Sequence, residues 1–375
     1  MKLTKFFALA IAALAFVGCG NDSNTTVDAN GGITLKANKT ALTIGDTVTF
    51  SVFDSAGQNV TSISQIYDPD FAELTNKKYT ATETGNFEFF ATCGSETSNT
   101  LVIKVLASMP TAPEDPEPNN FAFNHRAVLI DHTGLACGNC PLMMDNLHTY
   151  GETAMAKHYN EVTCHGGYYA AQFSDPAYSS TAYYLDYHQS THFGLFTGYP
   201  GLVLNFRGTN VGNRAYNLFK NDLDAALNSY IKKDGADVGI ALTVEGDEDN
   251  ILCAVKVKSA VTQKYWITAW LLESGIYSPN QAGAKTDLHR FYNYAIRNSS
   301  EELTKTAIAG LEIGEIAEGE SYDYACNIEV TSNSWDWRNM GVIVIVSAID
   351  SKGRTEVVNS AYCPVGESKT FEYVE

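Results

Sequence analysis

Positive charge is scarce in this chain. Its 375 residues include 25 Lys and Arg against 43 Asp and Glu, and the formal net charge is −18 at pH 7. Proteins that bind nucleic acid neutralise phosphates with clustered Lys and Arg, and the sequence has no such cluster. The same deficit argues against charge-driven adhesion to anionic membrane surfaces. We therefore predict no nucleic-acid partner.

Long apolar runs are also missing, except at the N-terminus. No internal stretch reaches the roughly 20 apolar residues that span a bilayer. Lys2 and Lys5 precede an uncharged apolar segment, residues 6–17, as in a secretory signal. The following Gly18-Cys19 resembles a bacterial lipobox, so removal of residues 1–18 and acylation of Cys19 would anchor the protein without a spanning helix. The alternative is an ordinary signal peptide with an accidental cysteine.

This N-terminus predicts a location in the cell envelope. We expect an outer-membrane lipoprotein that faces either the periplasm or the exterior and reaches the membrane through the lipid on Cys19. Disulfides form in exported compartments, so the remaining seven of the eight cysteines can pair there.

Strand, helix and proline patterns predict three folded blocks. The fold class is multidomain α/β plus all-β: an N-terminal immunoglobulin-like β-sandwich, a central domain that alternates strand and helix, and a C-terminal β-sandwich. In the central block, strand–helix–strand order predicts parallel strand pairing. The predicted bounds are 19–32 for a polar tether, 33–107 for the first sandwich, 108–122 for a Pro-rich linker, 123–234 for the central domain and 236–375 for the last sandwich.

The strongest chemical signal is the segment Cys137-Gly138-Asn139-Cys140, which follows a predicted buried strand and opens a predicted helix. Amide groups at a helix N-terminus stabilise a thiolate, so Cys137 is the expected nucleophile. Cys140, one turn along, would resolve a mixed disulfide. Zinc is less well supported, because a zinc site needs two more ligands and no second C-x-x-C occurs.

The stretch VLIDHTGLACGNC, residues 128–140, is similar to the active-site segment of thioredoxin. The resemblance implies that Asp131 is the buried acid that assists proton transfer to the resolving cysteine. It also implies that Pro200, in Gly-Tyr-Pro before GLVLNF, belongs to the cis-proline loop that holds substrate backbone. Ala136 stands where that family usually has an aromatic residue. The long gap before Pro200 predicts an extra helix and loop within residues 168–193.

A wider set of motifs resembles the 28-kilodalton outer-membrane protein family of Bacteroidetes lipoproteins. The motifs are the core at residues 133–141, Cys-His-Gly-Gly at 164–167, the Gly-Tyr-Pro-Gly loop, and TAWLLESGIYSPNQ and FYNYAIR further on. The resemblance covers residues 123–375. It implies a thioredoxin-like domain followed by a C-terminal β-sandwich, in a family whose activity is poorly defined.

Three functions stay open at this point. The first is a cofactor-free thiol–disulfide oxidoreductase that acts on protein thiols or disulfides, or on an envelope redox partner. The second is a non-enzymatic binding or structural lipoprotein that keeps the thioredoxin-like fold as a scaffold. The third is a metal carrier, with His132, Cys164 and His165 as weak candidate ligands. Cys164 is otherwise an additional resolving thiol or simply a buried one.

The other cysteines give less information. Cys253, Cys326 and Cys363 all lie in the C-terminal block, which favours one disulfide there. Which cysteines pair, among these three, Cys93 and Cys164, cannot be deduced from sequence.

Overall fold

The computed structural model describes residues 32–301, 303–305 and 307–374. The predicted signal segment and Cys19 lie outside these residues. The described chain is mostly β-sheet, arranged in several sheets with few helices. No helix within it has both the length and the apolar character needed to cross a membrane.

The strands of the N-terminal part are β1 (Thr34–Ala37), β2 (Ala41–Thr43), β3 (Thr47–Phe53), β4 (Gln65–Tyr67), β5 (Lys78–Thr80), β6 (Gly85–Cys93), β7 (Glu96–Thr97) and β8 (Leu101–Leu106). The central strands are β9 (Ala127–His132), β10 (Tyr159–Cys164), β11 (Gly201–Leu204) and β12 (Arg207–Gly208). The strands after them are β13 (Val238–Gly246), β14 (Asn250–Ser259), β15 (Gln263–Glu273), β16 (Ile276–Tyr277), β17 (Phe291–Tyr292), β18 (Ala295–Ser299), β19 (Leu311–Ile316), β20 (Ser321–Glu329), β21 (Met340–Ile349), β22 (Thr355–Pro364) and β23 (Glu367–Lys369).

The α-helices are α1 (Cys140–Gly151), α2 (Tyr168–Ala171), α3 (Ser180–Tyr187) and α4 (Tyr216–Tyr230). A π-helical turn (His188–His192) continues α3. Short 3₁₀ turns occupy Thr61–Ile63, Ala154–His158, Leu288–Arg290 and Trp337–Asn339.

The N-terminal part is built from two small sheets around one core. One sheet has the order β1-β3-β5, and the other has the order β2-β8-β6-β4 with β7 on β6. In β3 every second residue is buried, the period of a strand with one face on a core. The rings of Phe50 and Phe89 meet in that core with their centroids 4.8 Å apart. The alternating runs ITLKA, TVTFSVF, NFEFFATC and TLVIKVL, which predict strands in this block, fall on β1, β3, β6 and β8.

The central strands carry the predicted parallel pair and one reversal. β9 and β10 are parallel from Tyr159 opposite Ala127 to Cys164 opposite His132. β11 runs antiparallel to β9, with Gly201 opposite His132, so the prediction of parallel pairing is wrong for this strand. The reason is that the connection from β10 to β11 begins and ends at the same end of β9. The extra segment contains two short helices and a π-helical turn rather than one helix and a loop.

One sheet joins the central part to the C-terminal part. Its order is β12-β11-β9-β10-β18-β15-β21-β22, with β19 on β15. The junction is narrow: Thr163 of β10 pairs with Ala295 of β18, and the Thr163 amide donates to the Tyr294 carbonyl at 2.8 Å. The sequence pattern does not predict this pairing.

Packing strengthens the same junction. A buried cluster includes Val128 and Ile130 of β9 together with Trp270 of β15 and Ile343 of β21. A second sheet, β20-β14-β13-β23, packs on the other face of the C-terminal strands around a separate apolar core. Both parts therefore depend on one shared sheet.

The structure contains one disulfide among the described residues, between Cys137 and Cys140. Cys93, Cys164, Cys253, Cys326 and Cys363 are free and buried. The expectation of a disulfide in the C-terminal block is therefore wrong in this structure. Cys253 and Cys326 do face each other across β14 and β20, but as thiols. Their mutual hydrogen bond and burial raise the pKa of Cys253 well above its ordinary value, which keeps it protonated and unreactive.

Candidate functional site

The Cys137–Cys140 turn connects the end of β9 to α1. The Cys137 amide donates to the Gly134 carbonyl at 3.0 Å, and the Cys140 amide donates to the Cys137 carbonyl at 3.2 Å. Helix α1 begins at Cys140, with Pro141 in its first turn, where a missing amide hydrogen costs nothing. Cys137 thus lies just ahead of the helix N-terminus. Its side chain is only 4% exposed, and Cys140 is fully buried.

A segment of the C-terminal part covers this turn. The Gln281 side-chain amide donates to the Cys137 carbonyl at 3.1 Å, and the Ala282 amide donates to the Leu135 carbonyl at 2.8 Å. A Cβ placed on Gly283 would lie 2.4 Å from the Gly138 carbonyl oxygen, so the two backbones touch. We call residues 278–290 the covering segment. The motif TAWLLESGIYSPNQ ends in this segment, at Gln281, but it does not predict that the segment lies over the turn, because that position depends on the shared sheet.

Two hydrogen bonds hold the covering segment in place, one at Gln281 and one at His289. The Tyr292 hydroxyl donates to the Gln281 side-chain oxygen at 2.7 Å. His289 Nε2 lies 2.8 Å from an Asp145 carboxylate oxygen on α1. These contacts explain why Cys137 is nearly inaccessible.

Asp131 lies on β9, at the base of the turn. It is 2% exposed, and its Oδ1 has no hydrogen-bond partner. Burial, with a smaller contribution from the nearby Glu161 carboxyl, raises the pKa of Asp131 well above its ordinary value. A carboxyl group with a raised pKa holds its proton more readily than an ordinary aspartate, as a proton-transfer role requires.

Pro200 follows a cis peptide bond from Tyr199. A cavity of about 560 Å³ has the turn on one side and this loop on the other; Gly138, Asn139, Tyr199, Pro200 and His289 are among its lining residues. Pro200 therefore shares a cavity with Gly138 and Asn139, the residues between the two cysteines, whereas Asp131 lines a different cleft.

His132 and Cys164 meet at the adjacent ends of β9 and β10, with a third residue that sequence reasoning missed. That residue is Asp186 of α3; its carboxylate, the His132 ring nitrogens and the Cys164 sulfur offer ligand atoms within 4.8 Å of one another. All three already have partners. His132 Nδ1 is 3.0 Å from Asp186, and the Cys164 thiol donates to the Ala182 carbonyl at 3.2 Å. The feature of the sequence that could have identified Asp186 is that it is an acidic residue among the aromatic residues of α3.

His165 does not join that group. Its Nδ1 lies 2.8 Å from the Asp175 carboxylate, and both side chains are fully buried. Asp175 also accepts from the Leu135 amide at 2.6 Å, so it supports the turn before Cys137. Burial opposes ionisation of Asp175, but His165 and the Ala177 and Leu135 amides outweigh it and lower its pKa. Sequence reasoning missed Asp175 as well.

Comparison with known proteins matches part of this chain to a family of outer-membrane proteins. The profile of a family described as "Outer membrane protein Omp28" matches residues 189–369. That range contains Pro200 and the covering segment but not Cys137 or Cys140. The match supports localisation of this chain in the cell envelope, at the outer membrane.

Among solved structures, HBP35 of Porphyromonas gingivalis is similar, with a TM-score of 0.52 at 15% sequence identity. The alignment covers 67% of this chain and 78% of that one, and at this identity it shows a likeness of fold. A DUF4785 family protein from Legionella pneumophila aligns with 91% of this chain and 56% of its own at 7% identity, with a TM-score of 0.19 that carries no argument. No curated protein matches the chain.

Proposed function

We propose that this protein is an outer-membrane lipoprotein, anchored through Cys19, whose thioredoxin-like central part carries out thiol–disulfide exchange at Cys137 and Cys140. One arrangement supports the proposal above all. A disulfide at the start of α1 follows closely, along the chain, a strand residue, Asp131, whose buried carboxyl group has an unpartnered oxygen. A structural disulfide has no use for such an acid, whose burial costs free energy.

The exchange follows from the roles of these groups. In the reducing direction, the Cys137 thiolate attacks one sulfur of a substrate disulfide, which forms a mixed disulfide and releases one substrate thiolate. Cys140 then gives its proton to Asp131 and attacks the Cys137 sulfur. The Cys137–Cys140 bond forms and the second substrate thiolate leaves, so two electrons pass to the substrate. The reverse sequence oxidises a substrate dithiol.

The cavity beside Pro200 is the proposed entry for substrate. It borders the exposed Gly138 and Asn139 between the two cysteines. Cys137 itself is 4% exposed, so the covering segment has to move before a substrate sulfur reaches it. Access, rather than thiol chemistry alone, is therefore expected to limit the rate.

The near-complete burial of Cys137 also favours a second candidate function. In that case the Cys137–Cys140 disulfide is structural, and the protein is a non-enzymatic binding or scaffold lipoprotein of the outer membrane. A metal-carrier role has less support, because His132, Cys164 and Asp186 are engaged with protein partners.

The deciding experiment is a redox titration of the Cys137–Cys140 pair against glutathione, read by thiol alkylation and mass spectrometry. Exchange predicts a potential of about −270 to −120 mV, and a structural bond predicts one below about −300 mV. The variant Cys140→Ser should accumulate mixed disulfides with a model disulfide peptide, whereas Cys137→Ser should accumulate none. Equal behaviour of the two variants would contradict the assigned roles.

A further inference from the structure

A second cleft lies behind the exchange site, on the side of β9 and β10 that faces α1. Its volume is about 540 Å³, within the range of small-molecule sites. Aromatic rings form much of its wall, from Tyr159 on β10, Phe291 and Tyr292 on β17, Tyr294 beside β18, and Tyr362 on β22. We call it the aromatic cleft. The proposed exchange mechanism uses Asp131 but does not explain why a cleft of this size adjoins it.

Three polar groups that line the aromatic cleft have unused hydrogen-bonding capacity. Asp131 Oδ1 has no partner although the residue is 2% exposed. His165 Nε2 has none in a fully buried ring. His165 Nδ1 lies against the Asp175 carboxylate, which leaves Nε2 as the ring nitrogen available to a ligand. The side chain of Glu161, partly exposed, has no hydrogen-bond or ion-pair partner among the described residues.

The charges around the cleft have one sign. Asp131, Glu161 and, nearer the exterior, Glu152 line it, while none of its described lining residues is Lys or Arg. His148 and His165 are its other titratable side chains apart from the tyrosines. Buried acceptors without partners cost free energy, and aromatic faces attract cations. Among its described lining residues, the cleft therefore has neither a Lys or Arg charge nor a hydrogen-bond donor paired with Asp131 Oδ1 or Glu161, and a cationic ligand with N–H groups would supply both.

We propose that the aromatic cleft binds a small organic cation that carries an N–H-bearing ammonium group on an apolar or aromatic body. The ammonium group would lie against the carboxylates of Glu161 and Asp131, and the body would lie against the tyrosine and phenylalanine rings. The proposal rests on no step of thiol exchange.

The arrangement favours an organic cation over a metal ion. A metal needs ligand atoms that converge on one point. Within the described chain, the His, Cys, Asp and Glu ligand atoms converge only at His132, Cys164 and Asp186, which is a different place. It also favours N–H donors over a quaternary ammonium, because the carboxylates of Asp131 and Glu161 accept hydrogen bonds.

The test uses benzylammonium as the probe and isothermal titration calorimetry on the folded protein near pH 8. Benzyl alcohol has the same body without the charge, and benzyltrimethylammonium has the charge without N–H groups. We expect saturable binding of benzylammonium and at least about tenfold weaker binding of both analogues.

The matched variants are Glu161→Gln and Glu152→Gln. Glu161→Gln should weaken benzylammonium binding about tenfold or more, because it removes the charge inside the cleft. Glu152→Gln changes an exposed carboxylate and should alter affinity by about twofold or less. Near-UV circular dichroism checks that both variants keep native packing.

Three results would overturn the proposal. They are no saturable binding of benzylammonium, equal binding of benzyl alcohol, and equal loss in the two variants. Equal binding of benzyltrimethylammonium would overturn the assignment of an N–H donor. All of these measurements are made on the oxidised protein, so they are independent of whether Cys137 and Cys140 exchange disulfides.

Discussion

At the scale of single residues, two buried aspartates near the exchange site are in opposite situations. Asp131 has one oxygen without any partner, and burial raises its pKa. Asp175 accepts from two backbone amides and lies against His165, which together lower its pKa despite burial. The first carboxyl group costs stability when ionised, and the second contributes stability when ionised.

These environments predict opposite effects of the same substitution. Asp131→Asn removes a buried acid and should raise the free energy of unfolding near pH 8 by about 1–3 kcal/mol. Asp175→Asn removes the acceptor that holds the turn and should lower it by about 2–4 kcal/mol. Urea unfolding measures both values. Two changes of the same sign would show that the assigned environments are wrong.

The substitution Asp131→Asn also tests the proposed proton transfer. With no carboxylate to accept the Cys140 proton, resolution of a mixed disulfide should slow by about tenfold to a thousandfold. Formation of that mixed disulfide by Cys137 should change little. Rapid-quench alkylation separates the two steps, and an equal slowing of both would contradict the role given to Asp131.

Glu161 predicts a pH dependence of stability. Burial raises its pKa to about 7, whereas an unfolded glutamate titrates near pH 4.3. Its stabilising contribution is therefore complete below about pH 4.3 and is lost as pH rises through about 7. Glu161→Gln should exceed the wild type in unfolding free energy by about 1–3 kcal/mol near pH 8 and by little near pH 4. Urea titrations across this range measure the difference, and an unchanged pH slope would contradict the prediction.

At the scale of elements, the covering segment restricts access of solvent and substrate to the Cys137–Cys140 turn. Gly283 has φ +73° and touches the Gly138 carbonyl, so a side chain there meets backbone. Gly275 has the same φ, but its nearest neighbour would be the Asn339 side chain at 3.9 Å. Substitution by alanine would strain the backbone equally at both glycines, because both have positive φ. Only at Gly283 would the added Cβ also clash with neighbouring backbone.

This difference yields a matched pair of variants. Gly283→Ala should displace the covering segment and speed reduction of the Cys137–Cys140 disulfide by about tenfold, because local opening becomes easier by about 1.4 kcal/mol. Gly275→Ala carries the strain alone and should leave the rate near that of the wild type. Reduction with dithiothreitol followed by alkylation measures the rate. Equal rates in the two variants would show that the contact does not restrict access.

At the scale of the whole molecule, the shared sheet makes the central and C-terminal parts depend on each other. Trp270 lies on β15, in the C-terminal part, and is fully buried against Phe206 of the central part, with ring centroids 5.8 Å apart. Trp266 lies on the same strand but is partly exposed. Trp270 thus stabilises both parts, whereas Trp266 does not reach their common core.

Calorimetry can test this dependence. We expect β9 and β21 to unfold in a single transition. Trp270→Ala should lower the free energy of that unfolding by about 3–5 kcal/mol. Trp266→Ala should cost clearly less. Hydrogen exchange should show equal loss of protection in β9 and β21 for Trp270→Ala. Loss confined to β21 would mean that the two parts unfold independently.

The features of this protein that could be predicted from sequence were its local secondary structure and its short motifs. Alternating apolar residues identified β1, β3, β6 and β8, and Cys-Gly-Asn-Cys after an apolar strand predicted a cysteine pair at the start of a helix. The residues of the proposed exchange site were also named from sequence, because each lies in a short motif. Whether they perform exchange remains a prediction.

What the sequence by itself determined were the runs that form strands and helices and the cysteine motif, since each depends on neighbours along the chain. Only the tertiary structure decided the reversal of β11, the pairing of β10 with β18, the covering segment over Cys137 and the aromatic cleft. These features join residues that are far apart along the chain; Gln281 and Cys137, for example, are 144 positions apart. Such contacts depend on which edges and faces of a sheet are left open after local structure has formed, and a local pattern carries no information about that choice.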